Sequence, residues 1–180
     1  LVRALVNGRT DLEVRYDSGA RTRIETNARG FTTRITNNEF EQVVDVVQPD
    51  GANTKRAYAA QHLGLTETTD ELGVKTRYEH DARGNVVKRI EASGTADERI
   101  SEFVRNSAGQ IIQSVRKGGT AASGSVTSDS VWKLEYDGLG HVIRTVDPEN
   151  NVRQYTYDHS GNLVRFIDPR GFTTRYELDA

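Results

Sequence analysis

The 180-residue sequence contains no cysteine and no methionine, three prolines and one tryptophan. Without cysteine there is no disulfide framework and no thiolate site, and redox chemistry says nothing about compartment. Without methionine there is no initiator residue at position 1, so we expect a segment of a longer chain. No apolar run approaches a membrane span, and no stretch has the form of a signal peptide. An excess of charge of one sign is missing as well. Lys and Arg number 24, Asp and Glu 26, for a net charge of −2. The arginines are scattered, with no basic stripe of the kind that follows phosphates, so nucleic acid is not an expected partner. Apolar residues make up 35% and charged residues 28%, a low apolar share for a compact domain. No stretch carries a convincing helical period.

What is present is a repeat. Tyr157-Asp158-His159-Ser160-Gly161-Asn162-Leu163-Val164-Arg165 is followed by Asp168-Pro169-Arg170-Gly171, and one unit earlier Tyr136-Asp137-Gly138-Leu139-Gly140 leads to Asp147-Pro148. Gly140 to Gly161 is 21 residues, as is Pro148 to Pro169. A period of this length marks a stacked array of one supersecondary unit. The turn column runs through Ala20, Glu41, Gly64, Gly84, Gly109, Gly140 and Gly161, with Ala20 and Glu41 as decayed copies. A second column closes each unit at Gly30, Gly51, Gly73, Gly94, Gly119, Asn150 and Gly171. Gly30-Phe31-Thr32-Thr33-Arg34 recurs identically from Gly171 to Arg175.

Each unit predicts two strands and two turns. Phe172, Thr174, Tyr176 and Leu178 alternate with Thr173, Arg175, Glu177 and Asp179, the period of a half-buried strand. Asp-x-x-Gly follows; Asp favours the first position of a type I turn and Gly the fourth, where a left-handed residue sets a bulge. Second strands are expected at 85–90, 110–115 and 162–167, rich in β-branched and aromatic residues. Asp-Pro-x-Gly ends them, because proline cannot donate to a ladder. The glycine-rich stretch at about 117–131 predicts a long surface loop rather than an interdomain linker, with the register resuming at Trp132. We therefore expect one all-β array of antiparallel hairpins over 1–180.

Candidate chemistry is weighed against that architecture. Asp17, Asp81, Asp137, Asp158 and Asp179 could be calcium ligands, but they lie one repeat apart, whereas calcium needs oxygens converging on one ion. Turn capping is the expected role, since Asp bonds the backbone two residues on. His62, His80, His141 and His159 show no ligand spacing. Tyr16, Tyr78, Tyr136, Tyr155, Tyr157 and Tyr176 could stack sugars or bases, but cross-strand packing accounts for them. Trp132 is expected to plug a strand. We expect no catalytic residue, no cofactor and no metal, and hence no enzyme.

Tyr-Asp-x-x-Gly-Asn/His-Leu/Val-Val/Ile-Arg, then Asp-Pro-x-Gly, then x-Thr-x-Arg-Tyr resembles the YD repeat of the Rhs family, which includes bacterial polymorphic toxins, C subunits of insecticidal toxin complexes and teneurins. The resemblance is strong over 136–180, good over 73–94, and degenerate in the first 60 residues and around 103–119. It implies a β-strip that spirals into a hollow shell enclosing a C-terminal toxin domain. On that resemblance the partners are the enclosed toxin domain of the same polypeptide and the rest of the shell, with secretion-apparatus or chaperone proteins as further candidates. The protein would be a bacterial effector made in the cytoplasm and exported, as by type VI secretion, for interbacterial competition. In the bacterial family an aspartyl self-cleavage site also contains Asp-Pro-x-Gly; Asp168-Pro169-Arg170-Gly171 runs on into ordinary repeat and shows no paired acid of the kind such chemistry needs. The structural repeat positions are Gly64, Gly84, Gly109, Tyr136, Asp137, Gly140, Asp147, Pro148, Tyr157, Asp158, Gly161, Asp168, Pro169, Gly171 and Tyr176. The alternative is a carbohydrate- or protein-binding adhesion module. The two readings differ in whether Tyr155 and Tyr176 lie between strands or in a solvent groove.

Overall fold

The computed structural model describes residues 2–6, 9–119 and 127–177, with side chains described from residue 11 onward. Every regular element among them is a strand. The chain divides into two compact units, one of residues 1–78 and 91–98, the other of residues 79–90 and 99–180.

The first unit holds β1 (Val2–Val6), β2 (Arg9–Asp17), β3 (Thr22–Asn27), β4 (Thr32–Asn37), β5 (Val43–Val47), β6 (Asn53–Tyr58), β7 (Leu65–Thr69) and most of β8 (Lys75–His80). Each strand pairs antiparallel with the next. The second unit holds β9 (Val86–Glu91, bar its last residue), β10 (Arg99–Arg105), β11 (Ile111–Arg116), β12 (Ser130–Tyr136), β13 (Val142–Val146), β14 (Val152–Tyr157), β15 (Leu163–Ile167) and β16 (Thr173–Arg175). Here too sequence order is strand order, and β10 to β16 pair antiparallel in succession. The hairpin array read from the sequence is the observed architecture. Within each unit the turns alternate between the two ends of the strands, the Tyr-Asp turns at one end and the closing turns at the other.

The register shows why the Tyr-Asp turns recur. It shifts by one residue at Thr36/Asn37, Ala57/Tyr58, Val104/Arg105, Glu135/Tyr136 and Thr156/Tyr157, each on the strand entering such a turn. This is the bulge that a left-handed residue at the end of a type I turn produces. The left-handed residues are Gly84, Gly109, Gly140 and Gly161 at φ 81–94°, with Glu41 at 61°. Two columns differ from expectation. The left-handed residue beside Gly64 is Leu63, at φ 55°, and beside Ala20 it is Arg21, at 49°. At 59–64 the chain takes a wider turn, Leu63 N–H bonding Ala59 C=O and Ala59 N–H bonding Gly64 C=O, which moves the reversal one residue forward.

Burial is shallow throughout. Val14 and Val115 are the buried apolar side chains among the described residues, and none is fully enclosed. Stability therefore rests on the hydrogen-bond ladder and on half-buried cross-strand pairs, each a modest contribution of about 0.2–1 kcal/mol. Tyr155 faces Phe166 across β14 and β15, ring centroids 5.4 Å apart. Trp132 does not plug a strand; it lies opposite Ser114 and is 43% exposed, because its neighbour is too small to cover it. β16 is short and exposed along its length, and Phe172 is 68% exposed, so the alternation expected there does not become burial. Leu178 and Asp179 lie outside the described residues.

The arms of the long loop are held together. Lys117 Nζ and Gly118 N–H donate to Asp129 at 2.9 Å, and Gly119 and Thr127 exchange backbone and hydroxyl bonds. A Cβ on Gly118 would lie 1.8 Å from Thr127 C=O, so only glycine fits this crossing. Gly119, expected as a closing-turn glycine, is not left-handed. Residues 120–126 of the loop lie outside the described residues.

Candidate functional site

The residues singled out by repetition converge on the turns, where they form one clamp used many times. At Asp158 the backbone closes the turn: Gly161 N–H donates to Asp158 C=O at 3.1 Å, and Asp158 N–H to Asn162 C=O at 2.9 Å. The carboxylate then accepts from Ser160 N–H and Asn162 N–H, both at 2.9 Å on Oδ1. These donors would otherwise lack partners in so tight a turn. The same pair of bonds, two and four residues on, recurs at Asp70, Asp81, Asp137, Asp147 and Asp168. It recurs at Asn27, Asn38 and Asn106 as well. The sequence reading found these aspartates except Asp70 and passed over the asparagines, whose side-chain oxygen accepts equally well. The Asp of Asp-Pro-x-Gly performs the same task as the Asp of Tyr-Asp-x-x-Gly. Asp17 differs, accepting from Ala20 N–H alone among the bonds at its turn.

At six of these turns the residue after the turn adds a side-chain bond, and its identity follows the first. After Asp81, Asp137, Asp147 and Asp158 it is a donor to the carboxylate: Asn85, Asn151 and Asn162 through Nδ2, and His141 through Nδ1 at 2.9 Å from Asp137 Oδ2. After Asn38 and Asn106 it is Gln, whose Oε1 accepts from the Asn amide, at 3.0 Å in Asn38–Gln42 and 2.8 Å in Asn106–Gln110. Asp70, Asp168 and Asn27 are followed there by Val74, Phe172 and Phe31, which contribute the backbone bond alone. From Gln42, Gln110 and His141 the side chain then reaches the following turn. Gln42 Nε2 donates to Leu63 C=O at 2.8 Å, and a Cβ on Gly140 or Gly161 would stand 3.1 Å from Gln110 Nε2 or 3.0 Å from His141 Nε2.

The tyrosines tie unit to unit. Tyr58, Tyr136 and Tyr157 each donate their hydroxyl to the carbonyl at the start of the preceding unit's second strand: Val43, Ile111 and Val142, at 2.8–3.1 Å. Arg105 occupies this column once and reaches Val86 C=O and Gly109 C=O instead. The ring of Tyr157 stacks on His141 at 4.7 Å. Tyr176 is 43% exposed.

Electrostatics follow the clamps. The Asn85 amide holds Asp81 below the usual carboxylate range, His141 does the same for Asp137, and the Asn162 N–H for Asp158. At Asp147, 6% exposed, burial pushes the carboxyl up, but Asn151 and Arg153 together outweigh it and leave it low. Burial raises the Tyr157 hydroxyl, with Tyr155 and Asp137 adding to it. A lowered acid cannot hold a proton for transfer near neutral pH, and these acids stand one per turn. Among the described residues no three His, Asp or Glu are placed to hold a metal ion. His62 Nδ1 accepts from Gly64 N–H, and His159 lies 3.4 Å from Ser160.

The family described as RHS Repeat matches residues 58–96 and 136–165, the second of which contains both Tyr-Asp-x-x-Gly turns of the sequence. Over these stretches the chain carries RHS repeats. Among solved structures, a chain of the Tc holotoxin pore of Photorhabdus luminescens, in a form with mutated TccC3, matches 84% of the RHS-repeat chain at 15% identity and a TM-score of 0.62. A chain of the TcdB2-TccC3 crystal structure matches 92% at 14% identity and a TM-score of 0.49. The matches cover 9% and 13% of those chains, so the RHS-repeat chain spans a small part of either. At such identity the likeness to the holotoxin chain is one of fold. No curated protein matches the sequence.

Proposed function

We propose that this RHS-repeat chain is a stretch of wall in a β-shell that encloses a toxin domain of the same polypeptide, in an exported bacterial effector, and that it performs no catalysis itself. The observation that carries the reading is the use made of the column residues. Tyr58, Tyr136 and Tyr157 bond one unit to the one before, and the clamp acids hold their own turns. An active site has no reason to be copied at each turn; a wall does, because each added unit must close its own backbone and grip its neighbour. The fold shared with a chain of a Tc holotoxin pore supports the same reading. Tyr155 packs on Phe166 between strands, which favours a wall over an aromatic binding strip.

The test is limited proteolysis of the full-length gene product. A wall predicts that the enclosed domain resists digestion, and that Gly161→Val opens it to protease without altering the turnover of the domain once released. A downstream domain digested at the same rate with the repeat region intact or breached would overturn the proposal. So would an Asp158→Ala protein that keeps its protection yet no longer releases its cargo.

A further inference from the structure

One cavity in the first unit holds opposite charges that do not meet. It has a volume of about 390 Å³ and lies between the turns around Arg21 and Glu41, with Tyr16, Asp17, Arg21, Arg23, Asn37 and Glu41 in its lining. Its two walls are tied together, Asn37 N–H donating to Arg21 C=O at 2.9 Å. Asp17 is fixed by the bond that its Oδ1 accepts from Ala20 N–H at 3.0 Å. Arg23 lies 2.9 Å from Glu25 Oε1, which neutralises it. Asp17, Arg21 and Glu41 make no ion pair among the described residues, with one another or with any other group. Two acids and one base therefore line one space with their charges unpaired.

Two further observations point to a ligand. Three buried side-chain polar atoms lack a hydrogen-bond partner among the described residues, and two of them, Arg23 Nε and Asn37 Oδ1, belong to this lining. One is a donor and the other an acceptor, and native structures seldom leave either unmet. The contact of Arg23 with Glu25 pairs the charges but makes no hydrogen bond at Nε. Arg21 and Glu41 also hold left-handed backbone, at φ 49° and 61°, and strain of that kind persists where it serves a site.

We infer that this cavity binds the zwitterion of a free α-amino acid with an apolar side chain. A lone anion would meet Asp17 and Glu41, and a lone cation would meet Arg21. A ligand that carries both charges on neighbouring atoms answers all three. Its carboxylate takes the N–H donors of Arg21 and the unsatisfied Nε of Arg23. Its ammonium has three N–H donors and no acceptor. The lining supplies three acceptors for it: the Asp17 and Glu41 carboxylates and the unsatisfied Asn37 Oδ1. Tyr16, 63% exposed in the same lining, offers its ring to the side chain. Charge-assisted bonds of this kind are roughly twice as strong as neutral ones, and the volume falls within the range of small-molecule sites. The inference does not rest on the enclosure reading, and either can fail alone.

The experiment is calorimetry of the full-length protein with L-phenylalanine. N-acetylphenylalanine, phenylalanine amide and glycine serve as probes that remove the ammonium, the carboxylate and the side chain in turn. Phenylalanine should bind at millimolar concentration or below, and each probe roughly tenfold more weakly. Asp17→Asn with Glu41→Gln keeps an acceptor oxygen at both positions, so the turns stay closed while the charges are lost. That double variant should lose the preference for phenylalanine over its N-acetyl form at unchanged Tm. Arg21→Gln should lose the preference over the amide, and Arg21→Lys should keep it. A purely structural role would move neither ratio. The proposal is overturned if phenylalanine does not bind at millimolar concentration, if any of the three probes binds as tightly, or if both preferences survive the substitutions.

Discussion

The turns of the two units solve one problem with different residues. In the second unit the bulge is made by Gly84, Gly109, Gly140 and Gly161; in the first, Glu41, Leu63 and Arg21 take left-handed backbone at φ 49–61°. Yet the frame around Glu41 is that around Gly161. Asn38 N–H bonds Gln42 C=O at 2.9 Å, Glu41 N–H bonds Asn38 C=O at 3.2 Å, and Asn38 Oδ1 accepts from Phe40 and Gln42. The clamp, rather than glycine, fixes the turn. Glycine removes a strain of about 1–2 kcal/mol per position that the Glu41 turn tolerates because its own hydrogen bonds are made.

The largest effect that tests this comparison should come from Gly161→Val. The new side chain is strained at φ 84°, and its Cβ meets His141 Nε2 at 3.0 Å, with His141 held by Asp137 and stacked on Tyr157. A loss of about 2–3 kcal/mol is expected in urea unfolding. Gly171→Val, at the same φ but with open space around it, should lose only about 1–2 kcal/mol. Equal losses at the two sites would remove the packing role of the turn-to-turn ladder.

Tyr157→Phe comes next. It leaves the ring and deletes the bond to Val142 C=O, for a loss of about 1 kcal/mol, read as a lower urea midpoint at unchanged m-value. The sign then reverses in the first unit. Glu41→Gly or Leu63→Gly should stabilise by about 0.5–1 kcal/mol, the relief of strain being partly offset by the greater freedom of glycine in the unfolded chain.

The smallest effect is a pH dependence that differs between turns. Asp137 and Asp158 sit below the usual carboxylate range through His141 and the Asn162 N–H. A depressed folded pKa contributes stability that is present above the unfolded value near 3.8 and is lost as pH falls through the folded value. The Asn38 clamp has no proton to gain. On acidification, protection of the Ser160 and Asn162 amides should therefore fall before that of Phe40 and Gln42, as hydrogen exchange by NMR would read.

The repeat made much of this legible. Asp-x-x-Gly located the turns and their left-handed residues from Gly84 onward, and β-branched runs located β9, β11 and β15 to within a residue at either end. What escaped has a physical cause in each case. Asn27, Asn38 and Asn106 were overlooked because the pattern was sought as a carboxylate, although the turn asks only for an acceptor oxygen. Leu63 was missed because Gly64 beside it is the better left-handed residue, and the wider turn at 59–64 is not visible in residue type. Arg105 replaces a tyrosine by reaching the same carbonyl with different chemistry.

The central claim is that an acceptor oxygen at the first position holds the turns that begin with Asp or Asn. Its most direct test is hydrogen exchange at Ser160 and Asn162 in Asp158→Asn and Asp158→Ala. The account predicts near-native protection in the asparagine variant, as Asn38 already provides at its own turn, and fast exchange at both amides in the alanine variant. Equal exchange in the two variants would contradict it.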